Sequence, residues 1–306
     1  MKLRIKFKKY GPVRFIGHLD VMRFFQKALR RAGIDVTYTT GFSPHQVMSF
    51  AAPLGVGLTS NGEYMDIQVN SLPEPGPAGP HDTMSAQTDT SARPDMSETG
   101  EHQCNMAEPG KEYSDLLTPC RLLVELLNKA SVQGLEIISA RILPEDAGNA
   151  MASVAAASYT VRFREGREPD IIVSQSEDSG KAQTFQKALA AFLSKDEIII
   201  TKETKKGMRE VNLRPGIYEL TWQDDSFFML LDASSAGNIK PAQVIEALLE
   251  DCGETLKENA LLITREDVFT DLGEGESHRF VSLGEIGSEE PMGLQMSVSG
   301  DKGGVS

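Results

Sequence analysis

The chain has 306 residues and a mass of 33.4 kDa, a length that suggests two domains or one large one. Hydrophobic residues make up 40% and charged residues 25% of the sequence, which is typical of a globular protein with a sizeable core. The sequence contains no run of about 18 apolar residues, so it predicts no membrane-spanning helix. Its three cysteines form no CxxC pair, and the N-terminus lacks the continuous apolar stretch of a signal peptide. We therefore expect a reducing, cytoplasmic location.

The net charge of −13 hides a strong segregation of charge along the chain. Residues 1–62 carry ten Lys or Arg against two Asp, a net charge of +8, which leaves −21 for the other 244 residues. Residues 73–112 and 266–306 hold much of the negative charge, with net charges of −6 and −7. Such asymmetry favours an anionic partner for the basic part, although a basic strand and helix that are simply solvated would have the same composition.

Two segments lack the composition of a folded core. Residues 73–112 contain no Leu, Ile, Val, Phe, Tyr or Trp, so they cannot bury enough apolar surface to offset about 1–2 kcal/mol per residue of backbone ordering. We predict a disordered acidic insertion there, and a disordered tail over residues 271–306, which are rich in Gly, Ser and Glu. Cys104, His81, His102 and His278 lie in these segments, so none of them is predicted as a site residue.

The rest of the chain shows a similar order of elements twice. Residues 3–7 alternate apolar and basic side chains with the period of a strand. Residues 18–33 have apolar side chains at helical spacing and a basic stripe opposite them. The other elements predicted for the first half are strands at 35–39, 47–54 and 63–69, a helix at 115–130 and a strand at 135–143. Those predicted for the second half are a strand at 158–165, a helix at 184–194, a strand at 197–204, a hairpin at 216–232, a helix at 240–250 and a strand at 260–269.

The order β-α-β-β-α-β, twice over, predicts an α+β protein with two tandem ferredoxin-like units. The first unit comprises residues 1–72 and 113–145, and the second comprises residues 155–270. In such a unit the helices cover one sheet face, so the basic side chains of the first strand are expected to project together from the open face, about 6.5–7 Å apart. These side chains are Lys2, Arg4, Lys6 and Lys8. Phosphates along a nucleic-acid strand have a similar spacing, whereas protection of a strand edge would explain one or two lysines.

Two short motifs carry residues that are suited to specific chemistry. RFIGHLD places His18 and Asp20 at a helix start, where backbone amides and the helix dipole favour an anion; the alternative is a capping or packing role for His18. GFSPHQ holds Phe42 and His45 in a loop between strands, and an aromatic ring beside a histidine suits an unpaired base. The alternative is that Phe42 plugs the core.

A third segment, TKKGMREVNLRP (204–215), concentrates positive charge in a hairpin-like loop, although a solvated turn would look the same. The sequence has no GxxxxGK[ST], GxSxG or HExxH motif, so no catalytic residue is assigned. His18, Asp20 and His45 remain the catalytic candidates. The same three residues are the ligand types of a two-histidine, one-carboxylate metal site, but nothing in the sequence fixes their separation, and no metal is predicted.

These segments together resemble the bacterial radical-SAM-linked family, a domain of unknown function. The resemblance rests on RIKF, GPVRFIGHLDVMRFFQKALRRAG, YTTGFSPHQVMSFAAPLGVG and GEYMDI within residues 2–70, and more loosely on residues 115–230, including KKGMREVNLRP. Members lie fused or adjacent to a cobalamin-binding radical-SAM protein. The resemblance therefore implies a partner that carries an iron–sulfur cluster, SAM and cobalamin, and no cofactor in this chain. Gly17, Ser43 and Gln46 replace the serine, asparagine and proline of the family pattern, so no hydroxyl-dependent role carries over to position 17.

The leading hypothesis is an RNA-binding accessory protein that presents tRNA or rRNA to the radical-SAM partner for modification, without membrane contact. A displaced base would contact Phe42 and His45. The phosphates would be held by Lys2, Arg4, Lys6, Lys8, Arg23, Lys27, Arg30, Arg31, Lys205, Lys206, Arg209 and Arg214. One alternative is a stand-alone RNA-processing or nucleotide enzyme with His18 and His45 as acid and base. Another is a docking module that binds the radical-SAM enzyme without touching RNA.

Overall fold

The computed structural model describes residues 1–74, 118–173, 179–204, 207–275 and 277–290. The helices of these ranges are α1 (His18–Arg31), α2 (Pro119–Lys129), α3 (Asp170–Val173), α4 (Ser179–Leu193) and α5 (Pro241–Asp251). The strands are β1 (Lys2–Lys9), β2 (Met48–Phe50), β3 (Thr59–Gln68), β4 (Leu135–Ile142), β5 (Ala156–Phe163), β6 (Ile199–Thr204), β7 (Gly207–Asn212), β8 (Ile217–Gln223), β9 (Ser226–Asp232), β10 (Leu261–Asp271) and β11 (Phe280–Ser282). Within this part of the chain, no helix is both long and apolar enough to cross a membrane.

One large, mostly antiparallel sheet dominates the fold. Its main path runs β4-β1-β3-β10-β5-β9-β8, with β2 paired to β3 and β11 paired to β10. The two halves of the chain meet where β10 pairs β3 in parallel, at Thr264 opposite Thr59 and Arg265 opposite Ser60. β6 and β7 form a separate two-stranded ribbon. The protein is therefore α+β, as the sequence predicts.

The helices cover one face of this sheet in both halves. In the first half, Leu3, Ile5 and Phe7 of β1 are buried in a core that includes Phe25 of α1. The ring centroids of Phe7 and Phe25 lie 4.8 Å apart in an edge-to-face arrangement, which suits aromatic packing. A second core, which includes Phe185 of α4 together with residues of α5, β5 and β9, fills the other half. Full burial of each such side chain stabilises the fold by about 1.5–3 kcal/mol.

Local sequence signals account for most element positions but not for all of them. Asp224 and Asp225 have φ values of 50° and 54°, as expected of the two central residues in a tight hairpin turn. The predicted strand at 35–39 is instead represented by the isolated bridges of Val36 and Tyr38. The charged loop at 204–215 contributes most of its residues to the β6–β7 ribbon. Lys205 and Lys206 lie outside the described residues. Residues 75–117, which include most of the predicted insertion at 73–112, also lie outside them.

The second sheet face of the first half is covered, so the expectation of an open basic face is wrong. Residues 144–154, which connect β4 to β5, cover one part of it. The backbone amide of Ala150 donates to Oδ2 of Asp66 at 3.0 Å, and Nζ of Lys2 donates to the carbonyl of Ala147 at 2.6 Å. Lys2 therefore points into this connection.

Residues 280–288, here termed the C-terminal strap, cover another part of the same face. They begin as β11, paired with β10. They end where Ser288 exchanges two backbone hydrogen bonds with Ile142 of β4, at 2.7 and 3.0 Å. Leu283 between these points is fully buried. The predicted disorder from residue 271 onward therefore does not hold for the strap, because its backbone pairs with strands that are remote in sequence.

Two of the basic side chains beneath these segments, Arg4 and Lys6, form ion pairs with carboxylates on β3 and β10. Arg4 is 3% exposed and makes a two-pronged ion pair with Asp66 at 2.8 and 3.0 Å. Nζ of Lys6 lies 3.0 Å from Oδ2 of Asp267 and 5.4 Å from the centre of the Tyr64 ring. Because Asp66 and Tyr64 stand opposite Arg4 and Lys6 in the β1–β3 register, these cations can be covered instead of projecting into solvent.

We predict that Arg4→Ala lowers the free energy of unfolding by about 3–5 kcal/mol, because it leaves the buried Asp66 carboxylate without its cation. Urea denaturation measures the change. Lys27→Ala is the matched control, since Lys27 is exposed on α1 and a surface change of this kind costs at most about 0.5 kcal/mol. Equal stability of the two variants would contradict the assigned role of the pair.

Candidate functional site

The first turn of α1 holds two of the predicted site residues. α1 starts at His18, after Gly17 as the N-cap. The His18 ring packs edge-on against Phe50, with centroids 4.9 Å apart and an interplanar angle of 87°. Asp20 is exposed and pairs along the helix surface with Arg23 at 3.2 Å, a position in which a carboxylate stabilises the positive end of the helix dipole.

The loop at 37–47 is attached to α1 at its base and exposed at its tip. The hydroxyl of Thr39 lies 3.1 Å from Nδ1 of His45 and accepts a hydrogen bond from the His45 amide at 3.1 Å. Nε2 of Gln46 donates to the carbonyl of Gln26 in α1 at 3.3 Å. Phe42 is fully exposed, so it does not plug the core. Its ring is free to contact a ligand.

The candidates His18, Asp20 and His45 do not form a metal centre. Among the described residues, no three or more His, Cys, Asp or Glu side chains are grouped so that they could hold a metal ion.

Four cations on α1 are exposed: Arg23, Lys27, Arg30 and Arg31. Nη2 of Arg31 donates to the carbonyl of Ala130 at 2.7 Å. Within the described part of the chain, Lys27 and Arg30 have neither an ion pair nor a side-chain hydrogen bond. The Lys27 ammonium and the Arg30 guanidinium are therefore available to an anion.

Apolar side chains lie exposed beside the start of α1. Phe15 and Leu19 are each 60% exposed, and the Arg14 guanidinium lies 4.7 Å from the centre of the Phe15 ring. The Gly57 amide donates to the Arg14 carbonyl at 2.8 Å, which brings the loop of the exposed Val56 alongside. We use the name α1 surface for the following set of residues: Arg14, Phe15, Arg23, Lys27, Arg30, Arg31 and Phe42.

The other predicted RNA contacts are scattered. Lys8 is half-buried and stands opposite Glu136 in the β1–β4 register. Arg214 donates to the carbonyls of Leu193 and Ile217 at 3.1 and 3.3 Å, so it fastens the end of the ribbon to the core. Arg209 is exposed on β7.

Sequence reasoning missed a buried charge cluster, which consists of Lys9, Glu63 and Arg265. All three are at most 7% exposed. Nη1 of Arg265 lies 2.9 Å from Oε1 of Glu63, and Nζ of Lys9 donates to the Ile16 carbonyl at 3.0 Å. A signal was present in the sequence, because Lys9 and Glu63 stand in the apolar phase of their strands. Lys9 continues the alternation of Leu3, Ile5 and Phe7, and Glu63 continues that of Met65 and Ile67.

Burial, together with the charges of the cluster, shifts the pKa values of Lys9, Glu63 and His18. Burial lowers the pKa of Lys9, and the Glu63 carboxylate opposes this effect. Burial raises the pKa of Glu63, against the Arg265 guanidinium. Burial, followed by the charge of Lys9, lowers the pKa of His18. The imidazole at the start of α1 is therefore neutral at neutral pH and able to accept a proton or a hydrogen bond.

The fold and the α1 surface define an α+β protein that carries exposed cations and aromatic rings on one helix and its loops. The bacterial family described as "uncharacterized protein conserved in bacteria (DUF2344)" matches residues 2–89 and 111–241, and the chain belongs to this family. The predicted membership of a domain family of unknown function is thereby confirmed. No curated protein matches the chain. The match includes the α1 surface and the ribbon, whereas Arg265 and the C-terminal strap lie beyond it.

We predict that the His18 imidazole titrates with a midpoint below pH 6.5. An NMR titration that follows the ring protons of His18 measures this midpoint. Lys9→Met should move the midpoint up towards 6.5 without reaching it, because burial is the larger cause and remains. Since the unfolded chain takes up this proton near pH 6.5 and the native chain at lower pH, His18 costs stability as the pH falls through that window. His18→Gln should remove this part of the pH dependence. A wild-type midpoint at or above 6.5 would contradict the assignment.

Proposed function

We propose that the protein is an RNA-binding accessory protein that holds single-stranded RNA on the α1 surface. We further propose that it presents this RNA to a radical-SAM partner for the modification of tRNA or rRNA. The partner carries the iron–sulfur cluster, SAM and cobalamin, and this chain supplies binding and orientation. The resemblance of residues 2–70 to the radical-SAM-linked family supports the choice of partner.

The observation that carries the RNA proposal is the combined exposure of Lys27, Arg30, Phe15 and Phe42 around one helix. Proteins that bind single strands pair a positive surface with aromatic rings, and each stacked base contributes about 1–3 kcal/mol. The loop of Phe42 is hydrogen-bonded through Gln46 to the Gln26 carbonyl of α1, so the loop lies beside the helix that carries the cations. β1 contributes little to such a surface, because Arg4 and Lys6 already hold carboxylates.

We also propose that each half is a ferredoxin-like unit. The first half has the strand order β4-β1-β3-β2, and the second has β10-β5-β9-β8. When the strands of each half are numbered along the chain, with the β6–β7 ribbon treated as an insertion, both orders read 4-1-3-2. In this arrangement α1 is the first helix of its unit and lies on the side of the sheet away from the strap.

We predict that a labelled single-stranded RNA oligonucleotide binds the full chain, measured by fluorescence anisotropy over a salt series. If the four cations of α1 each meet a phosphate, the logarithm of the association constant falls with the logarithm of salt concentration with a slope of about −3. Lys27→Glu with Arg30→Glu should flatten this slope. Phe42→Ala should weaken binding by about 1–3 kcal/mol with the slope unchanged.

Lys187→Glu, an exposed charge reversal on α4, is the matched control and should leave RNA binding intact. A flat salt response, or equal affinities of the α1 and α4 variants, would contradict the proposal. The same mixtures also test the enzymatic alternative, which the neutral His18 favours. Cleavage of the RNA that His18→Gln or His45→Gln abolishes, with binding retained, would indicate a stand-alone enzyme.

The partner is tested with a purified, cobalamin-binding radical-SAM protein. We expect it to be retained by the immobilised chain, with retention enhanced by RNA and weakened by Lys27→Glu with Arg30→Glu. If the radical-SAM protein is retained in full after nuclease treatment, and the chain binds no RNA, the chain is a docking module instead. No retention under either condition would contradict the accessory role.

A further inference from the structure

The β6–β7 ribbon stands over a groove that the α1 surface does not include. The groove has a volume of about 490 Å³, which lies within the range of small-molecule sites. Lys202 and Arg209 of the ribbon line one side, and Pro215 and Ile239 of the second half line the other.

The inner face of the ribbon changes from apolar to cationic as the groove opens. At its base, Ile200 and Val211 stand opposite each other and pack against the core of the second half. One step further out on the same face, Lys202 stands opposite Arg209. Like charges that face each other across an antiparallel pair destabilise it. The ribbon therefore maintains two cations at a position where they repel each other.

The two carboxylates that line the groove, Glu210 and Asp232, form no ion pair with these cations. Neither Lys202 nor Arg209 has an ion-pair partner within 4.0 Å among the described side chains. Oδ1 of Asp232, on the opposite wall, accepts a hydrogen bond from the Ser234 amide at 2.7 Å. Glu210 also lines the groove. It follows Arg209 directly in β7 and stands opposite Thr201, so it lies on the other face of the ribbon from Arg209. Two adjacent, unpaired cations suit a ligand with a phosphate group.

We infer that this groove binds a nucleotide, with its phosphate between Lys202 and Arg209 and its base against the exposed Pro215. The shared chemistry is a nucleoside phosphate, either as a free nucleotide or as one residue of an RNA strand. This site goes beyond the proposed function, because a free nucleotide could fill it with no RNA on the α1 surface.

Isothermal titration of the full chain with AMP, adenosine and inorganic phosphate tests the site. AMP should bind, and adenosine should bind at least about tenfold more weakly, because it lacks the charge-assisted hydrogen bonds. Lys202→Ala and Arg209→Ala should each weaken AMP binding by about tenfold or more. Lys187→Ala, an exposed cation on α4, should leave it unchanged.

A stability measurement separates loss of the site from loss of the fold. Lys202→Gln relieves the repulsion within the ribbon, so it should raise the thermal midpoint of the ligand-free protein while reducing the further rise that AMP produces. Displacement of AMP by a single-stranded RNA oligonucleotide would assign the phosphate to RNA, and its failure would assign it to a free nucleotide.

Two results would overturn the inference. One is the absence of AMP binding at millimolar concentration, and the other is equal AMP affinity in the wild-type chain and in Lys202→Ala. If either result is obtained while RNA still binds in a manner that depends on Lys27 and Arg30, the groove inference fails and the proposed function stands. If AMP binds but RNA shows no salt-dependent binding, the proposed function fails and the groove inference stands.

Discussion

The ion pair between Arg4 and Asp66 is the contact on which the arrangement of the first half depends. Two buried charges stabilise a fold only when their geometry is good and their remaining hydrogen-bonding groups are satisfied. The two-pronged contact meets the first condition. The Ala150 amide, which donates to the same carboxylate, contributes to the second. Because Ala150 lies in the connection between β4 and β5, the Asp66 carboxylate also ties this connection to β3.

The same constraint decides where positive charge reaches the surface. The N-terminal segment is rich in cations, but Arg4, Lys6 and Lys9 hold a carboxylate or a backbone carbonyl inside the protein. An internal cation with its counter-ion contributes little to the field outside the molecule. The exposed positive potential of this half therefore comes mainly from α1, whose apolar stripe packs on β1 and whose opposite stripe faces solvent.

Periodicity predicted which side of β1 is apolar, and burial of Leu3, Ile5 and Phe7 agrees with it. Periodicity could not predict what lies on the other side. The covering segments, 144–154 and the strap, have no regular pattern of their own and are held by contacts between remote positions, such as Tyr64 with Ser282. For the candidate site, the sequence indicated the α1 cations and the Phe42 loop. It also carried an unused signal at Glu63, a charged residue in the apolar phase of β3.

A count of cations is therefore a poor guide to anion binding, whereas the pairing of each cation is a good one. Each of Arg4, Lys6 and Arg265 has a carboxylate within 3.0 Å, and such a group gains little from an added phosphate because it would first have to give up an existing partner. Lys27 and Arg30 on α1, and Lys202 with Arg209 on the ribbon, have no carboxylate at ion-pair distance within the described part of the chain. A ligand phosphate at these cations would displace no carboxylate of this part of the chain, and between Lys202 and Arg209 it would also relieve repulsion. For this reason we propose the α1 surface as a site for a polyanion and the ribbon groove as a site for a nucleotide.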